Sequence, residues 1–275
     1  MRIWFITGCS SGLGQGIAGA VLKSGDCAVV TARKKERVEH FAAEYPGRAL
    51  AVPLDLAKPE TLRAAVAEAC ERFGRIDVLV NNAGHGYRAA IEESDPDQVH
   101  RLFEEVFFAP MELIKLVLPK MRAQRHGLLL CVTSIGAVRG ALGNGYYSAA
   151  KGALELAVEA LQKEIAPFGI RTMLIEPGAM RTGFFGERME GTGISLSAYD
   201  SIAAKYRKEQ IRDRHDQPGD PDKCGELIVR TALLPQAPFR LLLGSDAVRA
   251  AEATLQERLR ELRAWKDTST QSDFD

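Results

Sequence analysis

The sequence predicts an α/β fold: a doubly wound parallel sheet of about seven strands with helices on both faces. Two observations carry this expectation. Strand-like and helix-like segments alternate along the chain, the order that builds a parallel sheet. The strand segments are apolar throughout instead of alternating, as strands covered on both sides must be. No repeat or internal linker interrupts them, so residues 1–245 read as a single domain and 246–275 as an appended helix and polar tail.

The first strand, near 2–7, contains Ile3-Trp4-Phe5-Ile6 and runs into Thr7-Gly8-Cys9-Ser10-Ser11-Gly12-Leu13-Gly14. That glycine-rich turn opens a helix near 12–24. Glycine there permits a tight bend and lets backbone approach a pyrophosphate, which the helix N-terminus attracts. The second strand, near 27–32, ends in Thr31-Ala32-Arg33-Lys34 and precedes a helix near 35–45. The third, near 48–53, leads to Asp55-Leu56, and Pro59 with Glu60 resembles the first turn of a helix near 59–73. The fourth, near 76–81, closes on Asn81-Asn82-Ala83-Gly84 and is followed by a long helix near 96–124. The fifth, near 127–133, ends at Thr133-Ser134-Ile135-Gly136, before a helix near 145–166. The sixth, near 170–175, is followed by Pro177-Gly178 and, four residues beyond the glycine, Thr182.

Residues 183–220 break the alternation with several glycines and then a charged helical stretch. A helix near 221–234 and a strand near 239–244 restore it. Residues 246–266 form a charged amphipathic helix with Leu255, Leu259 and Leu262 on one side, and 267–275 read as a disordered polar tail.

Lys plus Arg total 36 and Asp plus Glu total 36, a balance that argues against a nucleic-acid surface. No apolar run approaches the roughly 18 residues of a membrane span. The first strand begins almost at Met1, which leaves no room for a cleavable signal. The five cysteines lack metal-ligand spacing and read as reduced core residues, so no metal is expected and the cytoplasm is the simplest location.

Ser134, Tyr147 and Lys151 carry the chemistry. Tyr147 and Lys151 are four apart and share a helix face. Ser134, at the preceding strand end, is placed to face them. Reversible ketone–alcohol conversion needs such a set: a phenol to deliver a proton, a cation to ease its ionisation and a hydroxyl to hold the substrate oxygen.

These residues, the glycine-rich turn, Asn81-Asn82-Ala83-Gly84 and Pro177-Gly178 occur in the order found in the short-chain dehydrogenase/reductase family. The chain resembles its compact single-domain branch over residues 2–245. The resemblance implies a Rossmann-type fold, a nicotinamide coenzyme and catalysis by Ser134, Tyr147 and Lys151. It also implies that Gly8, Ser10, Ser11, Gly12, Leu13 and Gly14 bind the coenzyme diphosphate and that Asp55 and Leu56 meet the adenine. Asp55 equally suits a cap of the following helix, and both readings stay open. Asn81, Asn82, Ala83 and Gly84 are expected on the ribose side and in support of the central sheet. Pro177, Gly178 and Thr182 are expected by the nicotinamide, unless Thr182 simply starts a helix of the cover segment. Segment 183–220 is expected to cover the substrate. Ala32 stands where NAD-selective members carry Asp; with no carboxylate to repel a 2′-phosphate, Arg33, helped by Lys34, is expected to grip it, which predicts NADP(H).

One family residue is missing. Members carry an Asn on the long helix before the fifth strand; counting back from Leu118-Pro119-Lys120-Met121 puts Val106 there, and no Asn occurs between 83 and 143. In the family the carbonyl at that position holds a relay water. Pro110, four residues on, lacks the N–H that would occupy the Val106 carbonyl, so either that carbonyl is left to hold such a water, or Val106 is ordinary core, Pro110 an ordinary kink, and the relay is lost. The expected pocket wall, Gly86, Tyr87, Gly140 to Leu142, Tyr146, Phe184 and Phe185, is apolar and aromatic without an evident cluster of cations. It suits an apolar ketone, aldehyde or alcohol. The alternative is an NADP(H)-sensing binding protein with a weakened active site. By the same resemblance, helices 98–124 and 145–166 are expected to form a homodimer or homotetramer.

Overall fold

The computed structural model describes residues 1–186, 188–203, 206–207 and 216–274. Part of the predicted charged stretch in segment 183–220 lies outside the described residues. Seven parallel strands form the main sheet in the order β3-β2-β1-β4-β6-β7-β9. They are β1 (Ile3–Ile6), β2 (Cys27–Ala32), β3 (Ala49–Pro53), β4 (Val78–Asn81), β6 (Gly127–Val132), β7 (Ile170–Pro177) and β9 (Arg240–Leu243). In register, Phe5 lies between Val29 and Leu79, and Leu130 between Val80 and Met173. Two apolar cores cover the sheet, one built on Trp4, Ile6 and Ile17, the other on Phe5, Leu79 and Leu113. The strands therefore have no polar face, as their uninterrupted apolarity predicts.

The main helices are α1 (Gly12–Lys23), α2 (Glu39–Glu44), α3 (Pro59–Phe73), α4 (Pro96–Phe103), α5 (Ala109–Gln124), α6 (Ile135–Val138), α7 (Gly145–Ile165), α8 (Pro221–Ala232) and α9 (Ser245–Thr270). Helices α1 and α8 touch backbone to backbone. A Cβ on Gly16 would lie 2.4 Å from the Pro221 carbonyl oxygen, so only glycine permits this approach. Strand order reverses between β1 and β4, and the crevice at the carboxyl ends of such strands is where this architecture binds ligands.

Four elements differ from expectation. The helix predicted over 96–124 is broken by a π-helical segment, Glu104–Phe108, in which Ala109 N–H bonds the Glu104 carbonyl five residues back. Pro110 supplies the reason: without an N–H it cannot continue the i→i+4 ladder, and the chain widens by one residue per turn. The helix predicted over 35–45 is a 3₁₀ turn, Lys35–Arg37, followed by the short α2. A small second sheet, β5 (Gly86–Arg88) with β8 (Met189–Gly191), was not expected; three-residue strands leave no periodicity to read. The last helix runs to Thr270, so residues 267–270, predicted in the disordered tail, are helical. No glycine or proline between 245 and 270 stops it. Among the described residues no helix is long and apolar enough to cross a membrane.

Candidate active site

A single cleft opens at the carboxyl ends of β1, β4, β6 and β7. It runs from Ser11, Gly12, Leu13 and Gly14 past Asn82 and Gly84 to Ser134, Tyr147 and Lys151, with Pro177, Gly178 and Thr182 along one wall. Gly12 has φ +61, a left-handed conformation that L side chains rarely adopt. The turn is locked from β4. Asn82 and Ala83 N–H both donate to Thr7 Oγ1, at 2.8 and 2.9 Å, and Asn82 Nδ2 donates to the carbonyls of Thr7 and Gly8. Gly8, Ser10 and Ala83 stand behind the lining and shape it, while Ser11 precedes α1 in extended conformation and leaves its N-terminus without a side-chain cap. Uncapped N–H groups at a helix start attract a diphosphate, so these residues fit a dinucleotide.

The other predicted coenzyme residues are placed less directly. Arg33 and Lys34 are exposed just past β2. Leu56 is buried in the core. Asp55 accepts a hydrogen bond from Ala57 N–H at 3.2 Å, an Asx turn ahead of α3 and not a cap of its first turn. Thr182 both lines the cleft and caps a 3₁₀ turn, Gly183–Phe185, by accepting from Phe184 N–H. Asn81 lies below the cleft and ties β4 to α5 by donating to the Pro110 carbonyl at 3.1 Å.

Ser134 caps α6 by accepting from Gly136 N–H at 3.0 Å, which fixes its hydroxyl at the end of β6. Tyr147 stands on the first turn of α7 with its ring edge-on to Phe184, 5.9 Å between centroids. Burial pushes its phenol above the ordinary tyrosine value; a hydrogen bond with Ser134 and the charge of Arg88 work against that. Lys151 is buried, its Nζ donates to the Val132 carbonyl at 2.8 Å, and burial lowers it to about 8. Val106 and the Lys151 ammonium both border Gly84: a Cβ there would lie 3.7 Å from Val106 Cγ2 and 4.0 Å from Lys151 Nζ.

The pocket wall differs from expectation. Tyr87 points into the core, 1% exposed, and its hydroxyl accepts from Asp95 N–H. Gly86, Tyr146, Gly140 and Leu142 are likewise outside the lining; Ala141, Phe184 and Phe185 are in it. Three cationic side chains that the sequence did not reveal also line the cleft: Arg88, Arg139 and Arg188. Arg188 Nη2 donates to Ser10 Oγ at 3.2 Å and Ser11 Oγ at 2.8 Å, reaching from the cover segment onto the glycine-rich turn. His85 pairs with Glu105 of the π segment at 3.1 Å and with Glu190 of β8 at 3.5 Å. Glu93, fully buried, anchors the cover by accepting from Leu196 N–H and Arg207. These contacts join residues 20–178 positions apart, and no local spacing announces them.

The family model for short chain dehydrogenases matches residues 2–192. An oxidoreductase of Botryotinia fuckeliana, BOA17, is 33% identical over 98% of this chain and 99% of its own length. A 3-ketodihydrosphingosine reductase of Bacteroides thetaiotaomicron is 34% identical over 88% of both chains. A short-chain dehydrogenase structure from Streptomyces avermitilis superposes with a TM-score of 0.91 at 37% identity, covering 99% of this chain and 98% of that one. Similar solved structures hold nicotinamide coenzymes of both kinds, an NADP analogue and NADH. With its seven-stranded Rossmann-type sheet, glycine-rich turn and Ser134–Tyr147–Lys151 cluster, the chain belongs to the short-chain dehydrogenase family of oxidoreductases.

Proposed function

We propose that the protein is an NADP(H)-dependent oxidoreductase that interconverts a ketone or aldehyde of mainly apolar body with the corresponding alcohol. The observation that carries this reading is one cleft holding both the uncapped start of α1 and the Ser134–Tyr147–Lys151 cluster. The coenzyme, when bound, supplies or takes the hydride. In the reduction direction Ser134 donates a hydrogen bond to the carbonyl oxygen and Tyr147 passes its phenolic proton to it as negative charge develops. Lys151 and Arg88 favour the phenolate that remains, and Lys151 holds the ribose by resemblance to the family. Ser10, Gly8 and Ala83 support the diphosphate turn. Asp55 and Leu56 border the adenine.

The phosphate preference rests on Ala32, which presents no carboxylate, and on the exposed guanidinium of Arg33 with Lys34 beside it. The π segment bears on the missing Asn. Pro110 has no N–H to offer the Val106 carbonyl, and we read that carbonyl, in the buried π segment, as the one that holds a water. We read that water as the link from Lys151 toward solvent. Five unpaired cysteines support a reducing, cytoplasmic location. Exposed Phe108 and Leu156, in the predicted contact helices, support a homodimer or homotetramer.

Val106 in place of the family's Asn favours a second reading, a binding protein that senses NADP(H) without turnover. A panel of carbonyl compounds with NADPH, followed by coenzyme absorbance alongside fluorescence-detected coenzyme binding, separates the two. Turnover establishes the oxidoreductase; tight binding with no turnover across the panel establishes the sensor.

A further inference from the structure

Arg88 is the last residue of β5, and strand alternation decides where it points. Tyr87 turns inward to the core, so Gly86 and Arg88 share the opposite face. That face meets the cleft: a Cβ on Gly86 would lie 2.9 Å from Phe184 Cζ, and Phe184 packs on Tyr147. Pairing with β8 fixes the strand, Gly86 N–H donating to the Arg188 carbonyl at 2.9 Å. The guanidinium of Arg88 is half-buried and lines the cleft with Tyr147. Among the described residues it makes neither a hydrogen bond nor an ion pair, and burial weakens its hold on its proton. Arg139, also in the lining, has no side-chain partner among the described residues either. Among the described residues Asp246 is the sole carboxylate in the lining, and it is engaged at the Gly178 end, accepting from Ala179 N–H at 2.8 Å. Among the described residues, the substrate half of the cleft thus holds unpaired guanidinium charge on Arg88 and Arg139 and no acid to answer it.

A desolvated guanidinium is costly without a partner, and its planar fork of donors matches a carboxylate. We infer that Arg88 is the substrate's anion anchor and that the physiological substrate is an oxo acid, reduced to the hydroxy acid, whose apolar or aromatic body rests on Phe184 and Phe185. This deepens the proposed function and rests on it. Oxo acid, NADPH and a proton give hydroxy acid and NADP⁺; the hydride goes to the carbonyl carbon and the Tyr147 proton to its oxygen, while the carboxylate is held and unchanged. Arg88 next to the phenol also discriminates by charge: it repels a cationic amine substrate, and a bound carboxylate turns it into a neutral pair. Arg139, at the exposed mouth, adds to the attraction.

The test compares 2-oxo-4-phenylbutanoate and 4-oxo-4-phenylbutanoate with their methyl esters, in the wild type, Arg88→Gln, Arg88→Lys and Arg139→Gln. For at least one acid the wild type is expected to prefer acid over ester. Arg88→Gln should lower kcat/KM for that acid by about a hundredfold more than for the ester, the scale of a lost charge-assisted hydrogen bond, while the loss common to both reads its action on the Tyr147 phenol. Arg88→Lys, which keeps charge but not the fork, should retain part of the preference even if Arg88→Gln folds poorly. Arg139→Gln should cost the acid only a few-fold. Preference for the esters, or equal loss of acid and ester in Arg88→Gln, overturns the anchor and leaves Arg88 acting on the phenol alone. Calorimetric binding of non-reducible 4-phenylbutanoate, against 4-phenylbutanamide, with NADPH present reads the anchor without turnover. Binding of the acid that is lost in Arg88→Gln upholds the anchor even if no carbonyl is reduced, in which case the oxidoreductase reading falls instead. Equal binding of acid and amide, or binding of the acid unchanged in Arg88→Gln, overturns it.

Discussion

Tyr147 sits where its own ionisation is opposed. Burial raises its phenol, and only the Ser134 hydroxyl and the Arg88 guanidinium lower it. The Lys151 ammonium, 5.9 Å from the centre of the tyrosine ring, is turned instead to the Val132 carbonyl. Of the two cations near Tyr147, Arg88 thus acts on the phenol by its charge while Lys151 stands beside the ring. Coenzyme choice is also a residue-scale matter. Arg33→Ala is expected to raise the KM for NADPH ten- to hundredfold more than that for NADH, since a charged phosphate contact is worth roughly 1.5–3 kcal/mol. Steady-state kinetics with both coenzymes decides it; an equal loss with both removes Arg33 from the phosphate site. Ser134, Tyr147 and Lys151 were legible in the sequence because a helix brings residues four apart together and a strand end sets the serine beside them. Arg88 and Arg188 were not. Each belongs to a three-residue strand or its approach, and Arg188 meets Ser10 across 178 positions, so only the folded chain shows what they face.

At the scale of the element, the π segment between α4 and α5 follows from Pro110, and the sequence held the cause but not the form. Proline's missing N–H was readable; that the chain would answer with i→i+5 bonds was not, since a kink or a break satisfies the same constraint. Pro110→Ala restores an N–H to the Val106 carbonyl. The expected result is a ten- to hundredfold fall in kcat with an enlarged solvent isotope effect, the signature of impaired proton transfer. An unchanged rate and isotope effect would remove the carbonyl from the relay. Strand β7 carries a second element-scale feature. Glu176 is 2% exposed, faces Glu155 of α7, and is raised to about 7 by burial and by Glu155, with Arg240 only partly offsetting. Its folded value lies above its unfolded value of 4.5, so the folded state binds the proton more tightly. The stability this contributes is complete below about pH 4.5 and is lost as pH rises through about 7. Glu176→Gln keeps the neutral shape at every pH. It should gain roughly 1–3 kcal/mol over the wild type at alkaline pH and little in acid, by urea unfolding across the range. A constant difference between the two proteins at all pH values would contradict the assignment.

For the molecule as a whole, the sheet order follows from alternating elements and from right-handed crossovers, and it places four strand ends around one cleft. That much the sequence made plain. The way the cover segment is fastened was hidden, because its anchors, Tyr199 to Glu92 at 2.7 Å and Leu196 and Arg207 to Glu93, lie over a hundred positions apart in polar stretches without periodicity. Phe108 and Leu156 are 53% and 69% exposed, apolar surface that a partner copy would cover. Light scattering at micromolar concentration should give twice or four times the mass of 30.0 kDa; a strictly monomeric mass contradicts assembly through these helices.

The most direct test of the proposed chemistry is a single comparison of the wild type with Tyr147→Phe, in coenzyme oxidation by a reducible carbonyl substrate and in NADPH affinity measured side by side. Loss of the phenol oxygen removes the proton donor and barely changes shape. The expected result is turnover reduced by about 10²–10⁴-fold with NADPH affinity nearly intact. Turnover at the wild-type rate in Tyr147→Phe would contradict the mechanism at its centre.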